Sequence, residues 1–314
     1  MEPKGLVNRR ILITSLNWGM GHLARSIGLM QDLIEQQNTL FFAGNTEQVQ
    51  IVKQYIESIK TFELSNYPFH FSAEISLNKS LLNSSIQLLK HIRKEKREIA
   101  AIVAKHEIEI IISDHRYGCY AKNVTSIFLT HQLRMPLSGI WKFGNVIHKG
   151  LMLNFDVIWV PDYSDSRLSG ELSMMKRKVD KILFIGPLSR FKRVISGDKS
   201  IDKVLVLSGP DEFAIRFARQ FLTDNDPYFS GIIIGKKEVL NRLLFSESIR
   251  VIESSNWTLC DSYIASTKLL ISATGYSTLM DLEYLACSFF LTPTPGQVEQ
   301  EYLADFHSHR MIKQ

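Results

Sequence analysis

The feature that most constrains the fold is a regular alternation of short apolar, β-branched runs with longer segments of helical period. In the first part of the chain the short runs occupy residues 11–15, 39–43, 108–113, 125–129 and 157–160. After a polar stretch at residues 186–201 they resume at residues 204–207, 231–235, 269–272 and 288–292. This alternation is typical of α/β folds in which helices join parallel strands. The sequence therefore predicts two doubly wound, Rossmann-like domains facing a central cleft, with residues 1–187 in the first and residues 188–314 in the second.

Composition excludes several classes of protein. Hydrophobic residues make up 45% of the chain, which is too many for a disordered protein, and no apolar run approaches the ~20 residues that span a bilayer. Residues 1–10 lack the apolar segment of a secretory signal. The three cysteines, Cys119, Cys260 and Cys287, are far apart and odd in number, so we expect neither a disulfide framework nor a structural zinc site. These features predict a cytoplasmic protein.

The net charge of +5 is mild for 314 residues, and no nucleic-acid-binding module accompanies it. We therefore expect no nucleic-acid partner. A basic stretch at residues 90–97 and an apolar segment with interspersed basic residues at 133–153 are the two candidates for contact with the inner membrane surface. The favoured alternative is a solvated helix face and ordinary core segments.

A glycine turn follows the first run, where residues 19–22 read Gly-Met-Gly-His before a helical pattern. Backbone N–H groups at such a helix start can hold an anion or a polar ligand. The spacing also satisfies the dinucleotide fingerprint, but the acidic residue expected after the second strand is missing, since residues 42–45 read Phe-Ala-Gly-Asn. His22 is a candidate base, because an imidazole near a helix N-terminus tends to be neutral. A helix-capping role is the alternative.

Asp114 ends the apolar run at residues 108–113 and is expected at the ligand end of the sheet. It is the second candidate base, and it could instead orient the acceptor or a histidine. An ion pair with Arg116, two residues further on, is the alternative.

Three loops of the second domain follow predicted strands. The first contains Ser208 and Gly209, and the acidic residues 211–212 after it are interpreted as helix-starting residues. The second, residues 273–278, reads Ala-Thr-Gly-Tyr-Ser-Thr and offers backbone N–H groups and hydroxyls that suit a diphosphate, with a simple helix cap as the alternative. In the third, Glu299 beside Gln300 could grip vicinal hydroxyls of a sugar, or cap a helix.

An Asp-Asn-Asp string at residues 224–226 has the form of a metal-binding motif. It follows a predicted helix and precedes a predicted strand, so it belongs to the amino end of the sheet, away from the ligand end. We therefore predict no metal site.

In their order and spacing, these motifs resemble the inverting, metal-independent glycosyltransferases of the GT-B fold. The resemblance is to the family 28 group, which includes the enzyme that adds N-acetylglucosamine to the lipid precursor of peptidoglycan. It rests on the Gly-Met-Gly-His turn, Thr-His-Gln at residues 130–132, and the loops at 208–210, 274–278 and 295–300. The resemblance implies a transferase with a nucleotide-sugar donor, usually a UDP-sugar, in the second domain. It implies a sugar or lipid-linked acceptor in the first domain, and no cofactor.

The resemblance also assigns roles residue by residue. The donor-binding set is Ser208, Gly209, Thr274, Gly275, Tyr276, Ser277, Thr278, Asp281, Glu299 and Gln300. Asp281 stands where the family usually has a ribose-binding glutamate. The acceptor-binding set is Gly19, Gly21, His131 and Gln132, although the acidic residue of the family's second acceptor motif is absent. The chain stops at Gln314, where many relatives continue and cross back to the first domain.

The implied mechanism is a single displacement. His22, or Asp114 as second choice, removes the proton of an acceptor hydroxyl, and amides at residues 275–278 stabilise the leaving diphosphate in place of a metal ion. Two alternatives remain at this stage. One is a nucleotide-sugar 2-epimerase of the same fold, and the other is a non-catalytic protein that binds a nucleotide-sugar or a lipid.

Overall fold

A computed structural model describes residues 1–17, 19–67, 77–135, 144–174, 179–194 and 198–308, with the backbone alone at 77–86. The chain divides into two compact units, Met1–Leu188 and Ser189–Gln314. The division falls one residue after the boundary expected from the polar linker.

Unit 1 contains a seven-stranded sheet in which every described pairing is parallel. The strands are β1 Arg10–Ser15, β2 Thr39–Gly44, β3 Lys60–Glu63, β4 Ile110–Asp114, β5 Thr125–Leu129, β6 Val157–Val160 and β7 Ile182–Phe184. The helices are α1 Gly21–Glu35, α2 Thr46–Tyr55, α3 Leu77–His106 and α4 Gly144–Met152.

The strand order in unit 1 is β3-β2-β1-β4-β5-β6-β7. The chain moves outward from β1 through β2 and β3, then crosses back so that β4 lies on the other side of β1. This reversal makes the carboxyl ends of β1 and β4 the topological switch point, which is where α/β sheets bind ligands. Asp114 is the last residue of β4, and His22 lies in the first turn of the helix that follows β1.

Unit 2 contains a five-stranded parallel sheet with the order β10-β9-β8-β11-β12. The strands are β8 Ile201–Val206, β9 Gly231–Gly235, β10 Ile249–Glu253, β11 Thr267–Ala273 and β12 Ser288–Thr292. The helices are α5 Asp211–Gln220, α6 Lys237–Leu240, α7 Trp257–Ala265, α8 Tyr276–Leu282 and α9 Val298–Phe306. By the same reasoning, the switch point of unit 2 lies between β8 and β11.

Both cores form around the central strands because these strands are buried on both faces, as parallel strands covered by helices must be. In unit 1, Leu12 and Ile111 are fully buried on neighbouring strands and pack with Ile99 of α3. In unit 2, Leu205 and Ile271 are fully buried and belong to the cluster that contains the phenylalanines of α5. These cores fix the positions at which the loops leave the sheets.

The structure confirms the predicted α/β class with two parallel sheets. All nine strands expected from the sequence are present, with ends shifted by up to three residues; the run expected at 204–207, for example, is the strand Ile201–Val206. Three strands were not expected, namely β3, β7 and β10, and each lies at an edge of its sheet. Among the described residues, the helices are too short or too polar to cross a membrane.

Candidate functional site

The turn after β1 brings the start of α1 to the switch point of unit 1. The backbone N–H of Leu16 donates to the carbonyl of Asp114 at 2.9 Å, which ties this turn to β4. Gly19 then adopts φ +75°, a conformation that a residue with a side chain rarely takes. The helix begins at Gly21, so His22 lies in its first turn.

His22 and Asp114 are in direct contact. Nδ1 of His22 lies 3.0 Å from Oδ1 of Asp114. The carboxylate is fully buried, whereas the imidazole side chain is 17% exposed. A histidine that is oriented by a buried carboxylate and still open to solvent is the arrangement of a general base with its orienting partner.

The guanidinium of Arg25 is a second partner of the Asp114 carboxylate. Its Nε donates to Oδ2 of Asp114 at 2.8 Å, and its Nη2 donates to Oδ1. The same Nη2 is 2.7 Å from Nδ1 of His22. Nδ1 of His22 therefore has two competing partners, because Asp114 can only accept a hydrogen bond and Arg25 can only donate one.

The alternative prediction, an ion pair between Asp114 and Arg116, was wrong. Arg116 pairs instead with the buried Glu95, with Nε 2.7 Å from Oε1. Strand β4 ends at Asp114, and His115 follows with φ 60°, so the chain turns before Arg116. The partner of Asp114 is Arg25, 89 residues away in the sequence.

The electrostatics of the cluster favour an ionised carboxylate. Burial raises the pKa of Asp114, but the charge of Arg25 and the hydrogen bonds from Arg25 and His22 outweigh burial, so that the net pKa is well below the usual range. Burial is the main cause that pushes the pKa of His115 well below its ordinary value. Asp114 is therefore charged at neutral pH, and His115 is neutral.

The predicted acceptor-side residues after β5 belong to the same buried network. Nη1 of Arg25 lies 3.0 Å from Nδ1 of His131. The backbone N–H of Gln132 donates to Oγ1 of Thr130 at 2.9 Å, and its carbonyl lies 2.7 Å from Nε2 of His148 on α4. The sequence-predicted residues of unit 1 thus lie at the carboxyl ends of β1, β4 and β5, which occupy consecutive positions in the sheet. They are Gly19, Gly21, His22, Asp114, His131 and Gln132.

One group of side chains has the spacing of metal ligands. His22, Asp114 and His115 each offer a ligand atom, and these atoms lie within 4.8 Å of one another. Arg25, however, contacts both oxygens of Asp114 and approaches Nδ1 of His22. A divalent cation would have to compete with this fixed positive charge, so the group fits a protonatable site better than a metal site.

In unit 2, the loop after β8 is exposed and contains Ser208 and Gly209. Gly209 has φ +87°, and a Cβ on it would lie 3.9 Å from Oγ1 of Thr294, which follows β12. The acidic residues behave as expected for the start of α5, with Asp211 facing Lys236 at 3.7 Å and Glu212 facing Arg242 at 2.7 Å.

The loop after β11 leads into α8. Thr274 is fully buried, and its Oγ1 has no hydrogen-bond partner among the described residues. Gly275 is the N-cap residue of α8, with φ −86° and ψ 146°, and Thr278 Oγ1 would lie 3.5 Å from a Cβ placed on it. Tyr276 is buried, whereas Ser277 and Thr278 are half-buried. Glycine and hydroxyl groups therefore line this side of the switch point.

Asp281 is held by side chains of its own unit. Its Oδ1 accepts from Ser189 Oγ at 2.5 Å, and its Oδ2 accepts from Arg190 Nη1 at 2.9 Å. Burial raises the pKa of Asp281 to about 6, although Arg190 and Ser189 act in the opposite direction. Arg190 also pairs with the buried Asp261 at 2.9 Å. The carboxylate at the expected ribose position thus already has two partners.

Glu299 and Gln300 lie half-buried in the first turn of α9, as expected. The side-chain oxygen of Gln300 accepts from the backbone N–H of Thr294 at 2.8 Å, and its amide nitrogen donates to Gln297 Oε1 at 2.6 Å. Gln300 therefore braces the loop after β12. Because β11 and β12 are neighbours in the sheet, this loop lies beside the one that contains Gly275.

The remaining sequence features have structural explanations. In the Asp-Asn-Asp string, Asp226 is ion-paired with Lys203. In the basic stretch at 90–97, His91, Ile92 and Glu95 are buried, whereas the four residues Lys90, Arg93, Lys94 and Arg97 are exposed, as on a solvated helix face. The apolar segment at 133–153 lies partly outside the described residues, because residues 136–143 are not among them.

Sequence reasoning missed three residues of these sites, Arg25, His115 and Thr294. A signal for Arg25 exists, since it is the one charged residue in the run 23–30, every residue of which is buried. A lone charge on a buried helix face needs a buried partner, and Asp114 at the end of an apolar strand is the matching lone charge. No comparable signal marks Thr294, because its neighbours are distant in sequence.

Comparison with known proteins supports the predicted fold. An uncharacterized glycosyltransferase of Methanosarcina mazei is 24% identical over 319 residues, covering 93% of this chain and 82% of that protein. The spinosyn rhamnosyltransferase SpnG, solved with thymidine diphosphate, is 12% identical and has a TM-score of 0.63, with 96% of this chain and 84% of that chain covered. MurG of Acinetobacter baumannii is 8% identical with a TM-score of 0.51, and 96% and 83% of the two chains are covered.

No protein-family model matches the chain. The solved structures establish the fold of the chain, which is that of the GT-B glycosyltransferases. The relative from Methanosarcina is named as a glycosyltransferase and matches nearly the whole chain. The predicted resemblance to glycosyltransferases of the GT-B fold is thereby confirmed.

Proposed function

We propose that this chain, whose fold is that of glycosyltransferases, transfers a sugar from a nucleotide-sugar to an acceptor hydroxyl, with inversion at the anomeric carbon and without a metal ion. The observation that carries the proposal is the contact of His22 with the buried carboxylate of Asp114 at the switch point of unit 1. In this proposal unit 1 binds the acceptor, and unit 2 binds the donor.

The reaction is a single displacement. Nε2 of His22 takes the proton of the acceptor hydroxyl, while Nδ1–H donates to Asp114 and holds the ring in place. The acceptor oxygen forms a bond to the anomeric carbon as the bond from that carbon to the diphosphate oxygen breaks. The nucleoside diphosphate leaves with the electron pair. The burial and the low pKa of Asp114 favour its role as the orienting group over its role as the base.

The donor diphosphate requires stabilisation of its negative charge as it leaves. The loop after β8 offers a backbone N–H group at Gly209, and the loop after β11 offers hydroxyls at Thr274 and Thr278. Such groups can take the place of a metal ion at a leaving diphosphate. The N–H of Gly275 itself donates to the carbonyl of Ala273 at 2.9 Å. The position of Arg25 on Asp114 further supports a metal-independent reaction.

For the donor base, the resemblance to family 28 favours uridine, and the complex of SpnG with thymidine diphosphate makes thymidine the second choice. Glu299 and Gln300 are proposed to contact the sugar, and Asp281 the ribose. The last role requires Asp281 to exchange Ser189 or Arg190 for a ribose hydroxyl.

A cytoplasmic location and a peripheral contact with the inner membrane surface remain part of this proposal. The three cysteines are free, which suits a reducing compartment. Exposed apolar side chains at Val146, Ile147 and Leu153 lie on or just after α4, in the unit that also has the basic face of α3. Such a surface suits a lipid-linked acceptor.

The first test measures the melting temperature of the purified chain with UDP, GDP, dTDP, NAD and the common sugar conjugates of the diphosphates. A ligand at about 100 times its Kd stabilises the native state by about 2.7 kcal/mol, which is readily detected. We expect stabilisation by UDP or dTDP and their sugar conjugates. Stabilisation by NAD alone would contradict the proposal.

Two variants of Gly275 locate the ligand. At φ −86° and ψ 146° the N-cap position accepts a side chain, so Gly275→Asp and Gly275→Ser should both fold. The aspartate should repel the diphosphate and weaken its binding by about tenfold or more, whereas the serine should not. Equal weakening by both would point to steric effects, and no weakening by either would remove this loop from the donor site.

A further inference from the structure

Arg25 is a deeply buried arginine to which the proposed reaction gives no role. Its side chain is 2% exposed and lies one turn after His22 on α1. It contacts both oxygens of Asp114, Nδ1 of His22 at 2.7 Å and Nδ1 of His131 at 3.0 Å. This guanidinium thus contacts both the proposed base and the carboxylate that orients it.

The charges of the cluster explain why a cation is needed. Asp114 is fully buried and ionised, and a buried carboxylate requires a compensating positive charge. With His22 alone as its partner, the carboxylate would favour the imidazolium form of the ring. An imidazolium has no lone pair and cannot accept a proton from an acceptor hydroxyl. A guanidinium, by contrast, stays protonated at any physiological pH.

We propose that Arg25 is a positioning residue that balances the charge of Asp114 and thereby leaves the ring of His22 uncharged and able to act as a base. Its effect on the reaction rests on the proposed function, but its effect on the charge of His22 does not.

The groups that face His22 come from three elements. Arg25 lies on α1 and Asp114 ends β4. His115 belongs to the turn after β4, with its ring 5.6 Å from that of His22. Burial keeps His115 neutral, so it adds no charge. His131, after β5, contacts the same guanidinium rather than the carboxylate. The charge balance therefore depends on Arg25 and Asp114.

The test is ¹⁵N NMR of the full chain labelled at histidine, with the His22 signals identified by their loss in His22→Asn. At about pH 7.5, where imidazoles are commonly neutral, we expect a neutral ring in the wild-type chain and in Arg25→Lys, and an imidazolium in Arg25→Met. In the double variant Arg25→Met with Asp114→Asn, we expect the ring to become neutral again.

A kinetic measurement gives an independent readout. The acid limb of the kcat–pH profile should move to higher pH by about one unit or more in Arg25→Met, and Arg25→Lys should restore much of its position. If the wild-type chain transfers no sugar at any pH while the NMR charge states follow this pattern, the proposed function fails and the inference about Arg25 stands.

Arg116→Met is the matched control, because Arg116 is equally buried and pairs with the buried Glu95 in the same unit. It should lower the melting temperature without changing the His22 signals. A neutral His22 in folded Arg25→Met, or an imidazolium in the wild-type chain, would overturn the inference. If Arg25→Met does not fold, Arg25→Gln serves in its place with the same expected results.

Discussion

The two switch points share a topology but are built from different chemistry. In unit 1, charged and titratable side chains fill the position, and Asp114, Arg25 and His131 are all buried. In unit 2, the corresponding loops contribute glycine at residues 209 and 275 and hydroxyls at the start of α8. A proton acceptor needs a side chain whose surroundings are fixed, whereas a phosphate binds best to backbone N–H groups that no side chain blocks.

A related contrast holds for Asp114 and Asp281, two of the buried carboxylates that pair with arginine. At Asp114, Arg25 and the hydrogen bonds to the carboxylate outweigh burial and the pKa falls, whereas at Asp281 burial outweighs Arg190 and the pKa rises to about 6. Asp261 also faces Arg190, so that two carboxylates share one guanidinium in unit 2. The balance of positive and negative charges around a buried carboxylate, rather than the presence of an arginine alone, therefore decides whether its pKa falls or rises.

The largest expected effect is that of His22→Asn. Loss of a general base should lower kcat by about 10²- to 10⁴-fold, because only the transition state uses its proton affinity. The melting-temperature shift caused by the nucleotide should not change, since the proposed donor site lies in unit 2. Turnover and thermal shift measured on the same preparation test both statements.

His115→Asn is the control for this variant. His115 is buried beside His22 at φ 60°, a conformation that asparagine tolerates. The substitution should lower kcat by less than about tenfold, because His115 takes no part in the proton transfer of the proposal. Two results would contradict the proposal that unit 1 supplies the base and unit 2 binds the donor. One is an equal loss of kcat in the two variants, and the other is loss of the nucleotide-induced shift in melting temperature in His22→Asn.

The next effect concerns the pH dependence of stability. Because the folded-state pKa of Asp281 is raised from 3.8 to about 6, the folded chain binds this proton more tightly than the unfolded chain does. The contribution of Asp281 to the free energy of unfolding is therefore greatest below about pH 4 and is lost as the pH rises to about 6. The loss is on the order of 3 kcal/mol.

Asp281→Asn should remove this contribution, which urea unfolding between about pH 4.5 and pH 7.5 would measure. The variant should lose less stability than the wild-type chain as the pH rises across this interval. Asp114 acts in the opposite sense and only at lower pH, so it does not mask the difference. Parallel pH dependences in the two chains would show that Asp281 is not the responsible group.

The smallest expected effect is that of Gly209→Ala. At φ +87° an alanine is strained by about 1–2 kcal/mol, whereas Gly275→Ala, at φ −86°, should change the free energy of unfolding by less than about 0.5 kcal/mol. Urea unfolding of both variants measures the difference. Equal losses of unfolding free energy in the two variants would mean that Gly209 does not hold its left-handed backbone conformation.

The sequence predicts the inner strands of both sheets and misses three edge strands for a physical reason. Buried parallel strands must be apolar along their whole length, which marks runs such as residues 108–113. Edge strands need no such run. Strands β3 and β10 include Lys60, Glu63, Arg250 and Glu253, and β7 is only three residues long.

The site is predicted where it depends on local sequence and missed where it depends on distant contacts. Asp114 ends β4 and His22 lies in the first turn of the helix that follows β1, so the topology of the sheet brings them together. The ion-pair partner of Asp114 could not be predicted from the topology. Arg116 is near in sequence, but the turn at His115 carries it to Glu95, whereas Arg25 arrives from α1.

The most direct test of the account is the position of the hydrogen on the neutral ring of His22, measured by long-range ¹H–¹⁵N NMR of the wild-type chain. The proposed base requires the hydrogen on Nδ1, donated to Asp114, with Nε2 unprotonated. A hydrogen on Nε2, with Nδ1 accepting from Arg25 at 2.7 Å, would leave no lone pair for the acceptor proton and would contradict the role of His22.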